Sequence, residues 1–162
     1  MRYLFIVGCG HSGTSLMLSY FAACQGVYAI PEETNYLLDR SLDQFKNKFS
    51  QYQSSDIEYI VEKTPKHIYA LKQICRDPDS EALIMVRNPV DVVASLVKRG
   101  KDINTSIRRY ANDNLSWIKN RKDLKFLLVK YEDLVTNEAN MMRSLGSYLG
   151  LNLSGAIEDR LL

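Results

Sequence analysis

Apolar residues in this chain fall into short runs separated by stretches of helical period. Residues 3–8 (YLFIVG) are apolar on both faces, as in a strand buried between two layers, and lead through a glycine-rich segment into the helical pattern of Ser15 to Cys24. Val27 to Ile30, bounded by Gly26 and Pro31, predicts a second short strand, and a mixed polar and apolar stretch from about Thr34 to Tyr52 predicts a helix. Further on, Ile57 to Val61 predicts a strand, Lys66 to Cys75 a helix, Ala82 to Val86 a continuous apolar strand, and Pro89 to Lys98 a helix with proline in its first turn. Asp102 to Lys122 predicts a polar-faced helix, Phe126 to Val129 a final buried strand, and Asn137 to Leu149 a last helix that Gly150 stops. Strands alternating with helices at this spacing predict an α/β fold: a three-layer α/β/α sandwich around a mostly parallel sheet, opening like a P-loop NTPase with strand, loop and helix.

Length and composition narrow the function classes. The chain has 162 residues, 46% hydrophobic and 25% charged, which fits one domain over 1–162 with a continuous core. Ser154 to Leu162 carries no clear pattern and reads as a short packed tail or the end of a truncated chain. A formal net charge of +2 is too small to hold nucleic acid or an anionic membrane by bulk electrostatics, so anion recognition has to come from placed groups. Cys9, Cys24 and Cys75 are odd in number and have no CxxC spacing, which argues against a disulfide framework or structural zinc. The apolar run Leu4 to Val7 is too short for a signal-peptide core or a membrane span, so a cytoplasmic location is the expectation.

In an open parallel sheet, ligands sit beyond the carboxyl ends of the strands. One strand exit reads Gly8-Cys9-Gly10-His11-Ser12-Gly13-Thr14-Ser15, where glycines allow close backbone approach and amides at a helix start cradle an anion. It lacks the lysine of GxxxxGK[ST], so a triphosphate with Mg²⁺ suits it less well than a phosphosulfate without metal. A second exit, Val61-Glu62-Lys63-Thr64-Pro65, places a lysine just past a strand. At the third, Arg87 leaves a buried strand and Ser95 lies two turns into the following helix, so a guanidinium fork and a hydroxyl can meet on one phosphate. The fourth, Lys130-Tyr131-Glu132-Asp133, brings an aromatic ring to the same edge.

Taken in order, GCGHSGTS, EKTP, RNPVDVVAS and KYEDL resemble the motifs of the sulfotransferases that use 3'-phosphoadenosine 5'-phosphosulfate (PAPS), over roughly residues 3–150. The resemblance implies that Gly10, His11, Ser12, Gly13, Thr14 and Ser15 hold the 5'-phosphosulfate, that Arg87 and Ser95 hold the 3'-phosphate, and that Tyr131 is a secondary contact to the nucleotide. It also implies that Lys63, with His11, stabilises charge growing on the oxygen of the departing 3',5'-bisphosphoadenosine (PAP). Glu32 in Pro31-Glu32-Glu33-Thr34 resembles the base of tyrosylprotein sulfotransferases, and His67 is the alternative base by analogy with the cytosolic branch.

Departures from the family pattern carry implications too. Arg or Lys usually stands where this chain has His11, so the loop has less fixed positive charge and binds the donor more weakly above the histidine pKa. No RKG-like segment follows within the chain, and Lys98, Arg99 and Lys101 are the basic residues placed to compensate. Two other readings stay open: a P-loop nucleotide or small-molecule kinase, and a non-catalytic module that binds PAP or PAPS. Asn35 to Asp56 and Asp102 to Lys122 are expected to wall the acceptor cleft, for a small-molecule, carbohydrate or peptide acceptor. No metal is expected, and the sequence does not fix the oligomeric state.

Overall fold

Five strands, all paired in parallel, form a sheet in the order β2-β3-β1-β4-β5: β1 (Arg2–Gly8), β2 (Val27–Ala29), β3 (Tyr59–Lys63), β4 (Ser80–Val86) and β5 (Leu127–Lys130). This computed structural model describes residues 1–153, so the tail expectation for Ser154 to Leu162 lies outside the described residues. Helices α1 (Thr14–Ala22), α2 (Leu42–Phe49), α3 (Leu71–Arg76), α4 (Pro89–Lys98), α5 (Ile103–Ile118), α6 (Tyr131–Thr136) and α7 (Glu138–Leu149) connect and flank the strands.

Because side chains alternate along a strand, β1 feeds two cores. Leu4 and Ile6 pack with Met17 and Phe21 of α1 and with Met142, Leu145 and Leu149 of α7. Tyr3, Phe5 and Val7 pack on the other face with Phe45 and Phe49 of α2 and with Leu71 and Ile74 of α3. The sheet is therefore covered on both sides, as the doubly apolar pattern of residues 3–8 requires.

Several boundaries differ from the sequence reading, each for a physical reason. The helix expected from Thr34 to Tyr52 is broken: Ser41 takes extended backbone and forms a reciprocal capping box with Gln44, so α2 starts there, with 3-10 turns before and after it. The strand expected at Ile57 to Val61 lies two residues later and ends on Lys63, because Glu62 and Lys63 are buried and partnered and do not terminate it. The first half of the helix expected from Lys66 is a 3-10 helix over Pro65–Ala70. The strand expected to be buried at Phe126 to Val129 is the sheet edge, and among residues 127–130 only Val129 is buried. Among the described residues, no helix is long and apolar enough to cross a membrane.

Candidate functional site

The central strand β1 ends between β3 and β4, so the exits of all three converge on one sheet edge. There a cavity of about 550 Å³ is lined by Gly10, His11, Gly13, Thr14 and Ser15 on one side, and by Glu33, Asn35, Pro65, Lys66, Arg99 and Arg109 on the others. Its floor is the start of α1, which no side chain among the described residues caps. The first amides of that helix, with the positive end of its dipole, are thereby left for an anion.

The loop is held by steric necessity. Gly13 has φ +89°, and a Cβ there would lie 2.5 Å from the ring of Tyr131, so any side chain at this position would force the loop away from α6. His11 also has positive φ, +72°, in a turn closed by the Ser12 amide donating to the Cys9 carbonyl at 3.2 Å. That turn directs Ser12 inward: its side chain is fully buried, its hydroxyl has no hydrogen-bond partner among the described residues, and it is not part of the cavity wall.

Behind the loop, His11 gathers the residues of the third and fourth strand exits. Ser95 Oγ lies 3.0 Å from His11 Nδ1, and Arg87 Nη1 donates to the His11 carbonyl at 3.2 Å. The Arg87 guanidinium stacks 4.2 Å over the Tyr131 ring. Its Nε is buried without a hydrogen-bond partner among the described residues, with the Asp91 carboxylate 3.9 Å away. The backbone here is pinned as well: Tyr110 donates to the Arg87 carbonyl at 2.9 Å, and Glu132 accepts from the Asn88 amide at 2.8 Å. Burial, and then the charges of Arg99, Arg109 and Arg87, push His11 below its ordinary pKa.

Across the cavity, Lys63 is only 11% exposed and pairs with Glu33 at 2.7 Å. The carboxylate that the structure brings to Lys63 and to the cavity wall is thus that of Glu33; Glu32, one residue earlier, is exposed and does not line the cavity. His67 is fully buried, neither a surface residue nor open to the cavity, and both ring nitrogens are committed. Nε2 accepts from the Leu37 amide at 3.1 Å, which places the proton on Nδ1 facing Glu62 Oε2 at 2.9 Å. With no free nitrogen and no place in the cavity wall, His67 holds the fold and is not positioned to act as the base.

The sequence reading missed Lys66 and Arg109 in the wall. The only available signal for Arg109 was its placement on a polar-faced helix, which does not say which neighbour that face meets. Of the three basic residues named at the end of α4, Arg99 is the one that lines the cavity.

Comparison with known proteins agrees with this architecture. Mouse (Mus musculus) Sulfotransferase 4A1 is 27% identical over 187 residues, a match covering 98% of this chain and 63% of that relative, so the chain spans less than two thirds of its length. The sulfotransferase domain of the Synechococcus PCC 7002 olefin synthase superposes with a TM-score of 0.76 at 15% identity, over 96% of this chain and 75% of that one. Mouse sulfotransferase SULT7A1 complexed with PAP superposes with a TM-score of 0.59 at 13% identity, over 93% and 60%. At these identities the two structures establish the shared fold. The model of the Sulfotransferase family matches residues 27–155, most of the sequence, and the chain therefore belongs to that family.

Proposed function

We propose that this chain moves the sulfuryl group from PAPS to a hydroxyl or amine acceptor, a small molecule, carbohydrate or peptide. The observation that carries this reading is the Arg87 cluster: a guanidinium stacked on Tyr131, its buried Nε without a hydrogen-bond partner, beside Ser95 and behind an uncapped helix start. A buried guanidinium N–H whose carboxylate neighbour, Asp91, stands 3.9 Å away, beyond hydrogen-bond distance, costs free energy until an anion comes closer, so the residues present fit a nucleotide with a phosphate on each side of its ribose. Gly10, Gly13, Thr14 and Ser15, with the first amides of α1, would hold the 5' end, and Arg87 and Ser95 the 3'-phosphate. Ser12 serves through the shape of its turn, since its hydroxyl faces the interior. The complex of SULT7A1 with PAP supports this choice of ligand class.

When bound, the donor supplies a sulfur–oxygen bond that breaks toward the 5'-phosphate, which keeps the electron pair, while sulfur bonds to the acceptor oxygen or nitrogen. The chain's own residues do the rest. Lys63, nearly buried at the end of β3, is a fixed ammonium suited to charge growing on the leaving oxygen, and the helix amides act in the same sense. His11, held by Ser95, orients the loop and has an imidazole to offer as a hydrogen-bonding group. Glu33, in the wall and oriented by Lys63, replaces Glu32 as the carboxylate placed to take the acceptor's proton.

Calorimetric titration of PAP into the wild type and Arg87→Ala, with ADP and with ATP plus Mg²⁺ as competitors, tests the reading. Selective PAP binding that Arg87→Ala weakens by at least about tenfold is expected for a lost charge-assisted pair. Preference for ATP, or no binding of any nucleotide, would overturn it.

A further inference from the structure

Arg109 and the carboxylate behind it belong to the loop as much as to their own helix. Arg109 reaches from α5 to the phosphate loop so closely that a Cβ on Gly10 would lie 2.7 Å from its Nη2. Its Nε lies 3.7 Å from Asp113 Oδ2, one helical turn on, and Asp113 accepts a hydrogen bond from the Tyr69 hydroxyl through its other oxygen. A surface pair at this spacing would be unremarkable on an exposed helix, but the Asp113 side chain is only 7% exposed. Cys9, inside the loop, senses the same carboxylate: burial first, then Asp113, push its thiol up to about 12. Tyr69, from the segment after β3, is likewise pushed up to about 12, by burial and then by Asp113. The chain Tyr69–Asp113–Arg109 thus ties two separate parts of the sequence, the segment after β3 and α5, to Gly10.

We propose that Arg109 supplies the fixed positive charge at the 5' end of the bound nucleotide, and that Asp113, anchored by Tyr69, is the positioning residue that aims it. The inference rests on the sulfonucleotide reading above. The loop itself contributes no lysine or arginine, and His11 is held toward its neutral form by its burial and by the surrounding guanidiniums. Arg99 shares the wall but is exposed and has no such buttress among the described residues, whereas the half-buried Arg109 is pre-aimed and loses less freedom on binding. Asp113 reaches the nucleotide only through Arg109.

The test uses three probes: PAP, adenosine 5'-monophosphate and adenosine 3'-monophosphate, titrated calorimetrically into the full chain. Arg109→Ala is expected to lower affinity for PAP and for the 5'-monophosphate by about 10- to 100-fold, leaving the 3'-monophosphate unchanged. Arg87→Ala gives the opposite pattern, losing PAP and the 3'-monophosphate. Asp113→Asn reproduces the Arg109→Ala pattern at smaller amplitude and adds nothing in the Arg109→Ala background. Arg109→Lys keeps the charge and the aliphatic stem, and recovers part of the 5'-end affinity if Arg109→Ala proves poorly folded. Equal losses for all three probes in Asp113→Asn, or unchanged 5'-monophosphate binding in Arg109→Ala, would overturn this inference while leaving the functional reading intact. A wild type that binds none of the probes would overturn the functional reading, and this inference with it.

Discussion

Replacing Glu62 by glutamine should destabilise the protein although the change is nearly isosteric, because the residues around Glu62 are all donors. The side chain is fully buried on β3. Oε1 accepts from the Thr34 amide at 3.3 Å, the Thr34 hydroxyl at 3.0 Å and the Thr64 hydroxyl, while Oε2 accepts from His67 Nδ1 at 2.9 Å. Both hydroxyls are themselves oriented, Thr34 by the Tyr36 amide at 3.2 Å and Thr64 by the Asn35 amide at 3.3 Å. A glutamine can keep its oxygen toward the threonines, but its NH₂ then faces the His67 Nδ1 proton. Switching the tautomer moves the conflict to Nε2, which faces the Leu37 amide. One buried donor is left unpaired either way, a cost of about 1–3 kcal/mol. With a urea m-value of about 2 kcal/mol/M, the unfolding midpoint should fall by about 0.5–1.5 M. Trp117, the single tryptophan, and far-ultraviolet circular dichroism should report coincident transitions. Removing the imidazole with His67→Ala removes the conflict, so Glu62→Gln should cost less in that background, and a double-mutant cycle measures the difference. A glutamine variant within about 0.5 kcal/mol of wild type would refute the reasoning, since that is the size of an ordinary surface substitution.

Other consequences can be checked independently. Gly13→Ala should lower stability by about 1–3 kcal/mol and weaken PAP binding, since the residue would have to hold positive φ with its Cβ against Tyr131; thermal melts and calorimetry read the two effects. His11 and His67 are the only histidines, so their ring protons can be followed by NMR: His11 should titrate below the ordinary value of about 6.5 and move up when PAP neutralises the neighbouring guanidiniums. Because its folded value lies below the unfolded one, the His11 contribution to stability is complete above about pH 6.5 and is lost as pH falls below that, a decline that His11→Asn should flatten. Burial raises all three thiols, Cys9 to about 12 and Cys75 to about 11, so a thiol-disulfide reagent at pH 8 should modify the native protein slowly and all three cysteines at once in denaturant. With an acceptor in hand, Glu33→Gln should reduce turnover by about 10²- to 10⁴-fold, whereas Glu32→Gln should leave it nearly unchanged; the reverse order would return the base to Glu32.

Local pattern determined much of this protein. The doubly apolar run at residues 3–8, the loop after it, Pro89 to Lys98 with proline at its first turn, and the stop at Gly150 are legible because each depends on neighbours within a few residues. The order in which the motifs lie along the chain was also enough to point to the family. The sheet order β2-β3-β1-β4-β5, which sets three exits side by side, came only from the tertiary structure, since periodicity is silent on which strands pair. So did the length of β3. In the sequence, Glu62 and Lys63 look like a solvated strand end, but partners from Thr34, Glu33 and His67 bury them. The same distinction separates Glu33 from Glu32, adjacent residues of identical chemistry, of which one meets Lys63. It also separates Arg109 from the other cations of α5, because its neighbours Gly10 and Tyr69 are remote in sequence. Residue type and spacing carry a backbone's local preferences, but the free energy of a buried charge depends on groups that only the folded chain brings within hydrogen-bonding distance.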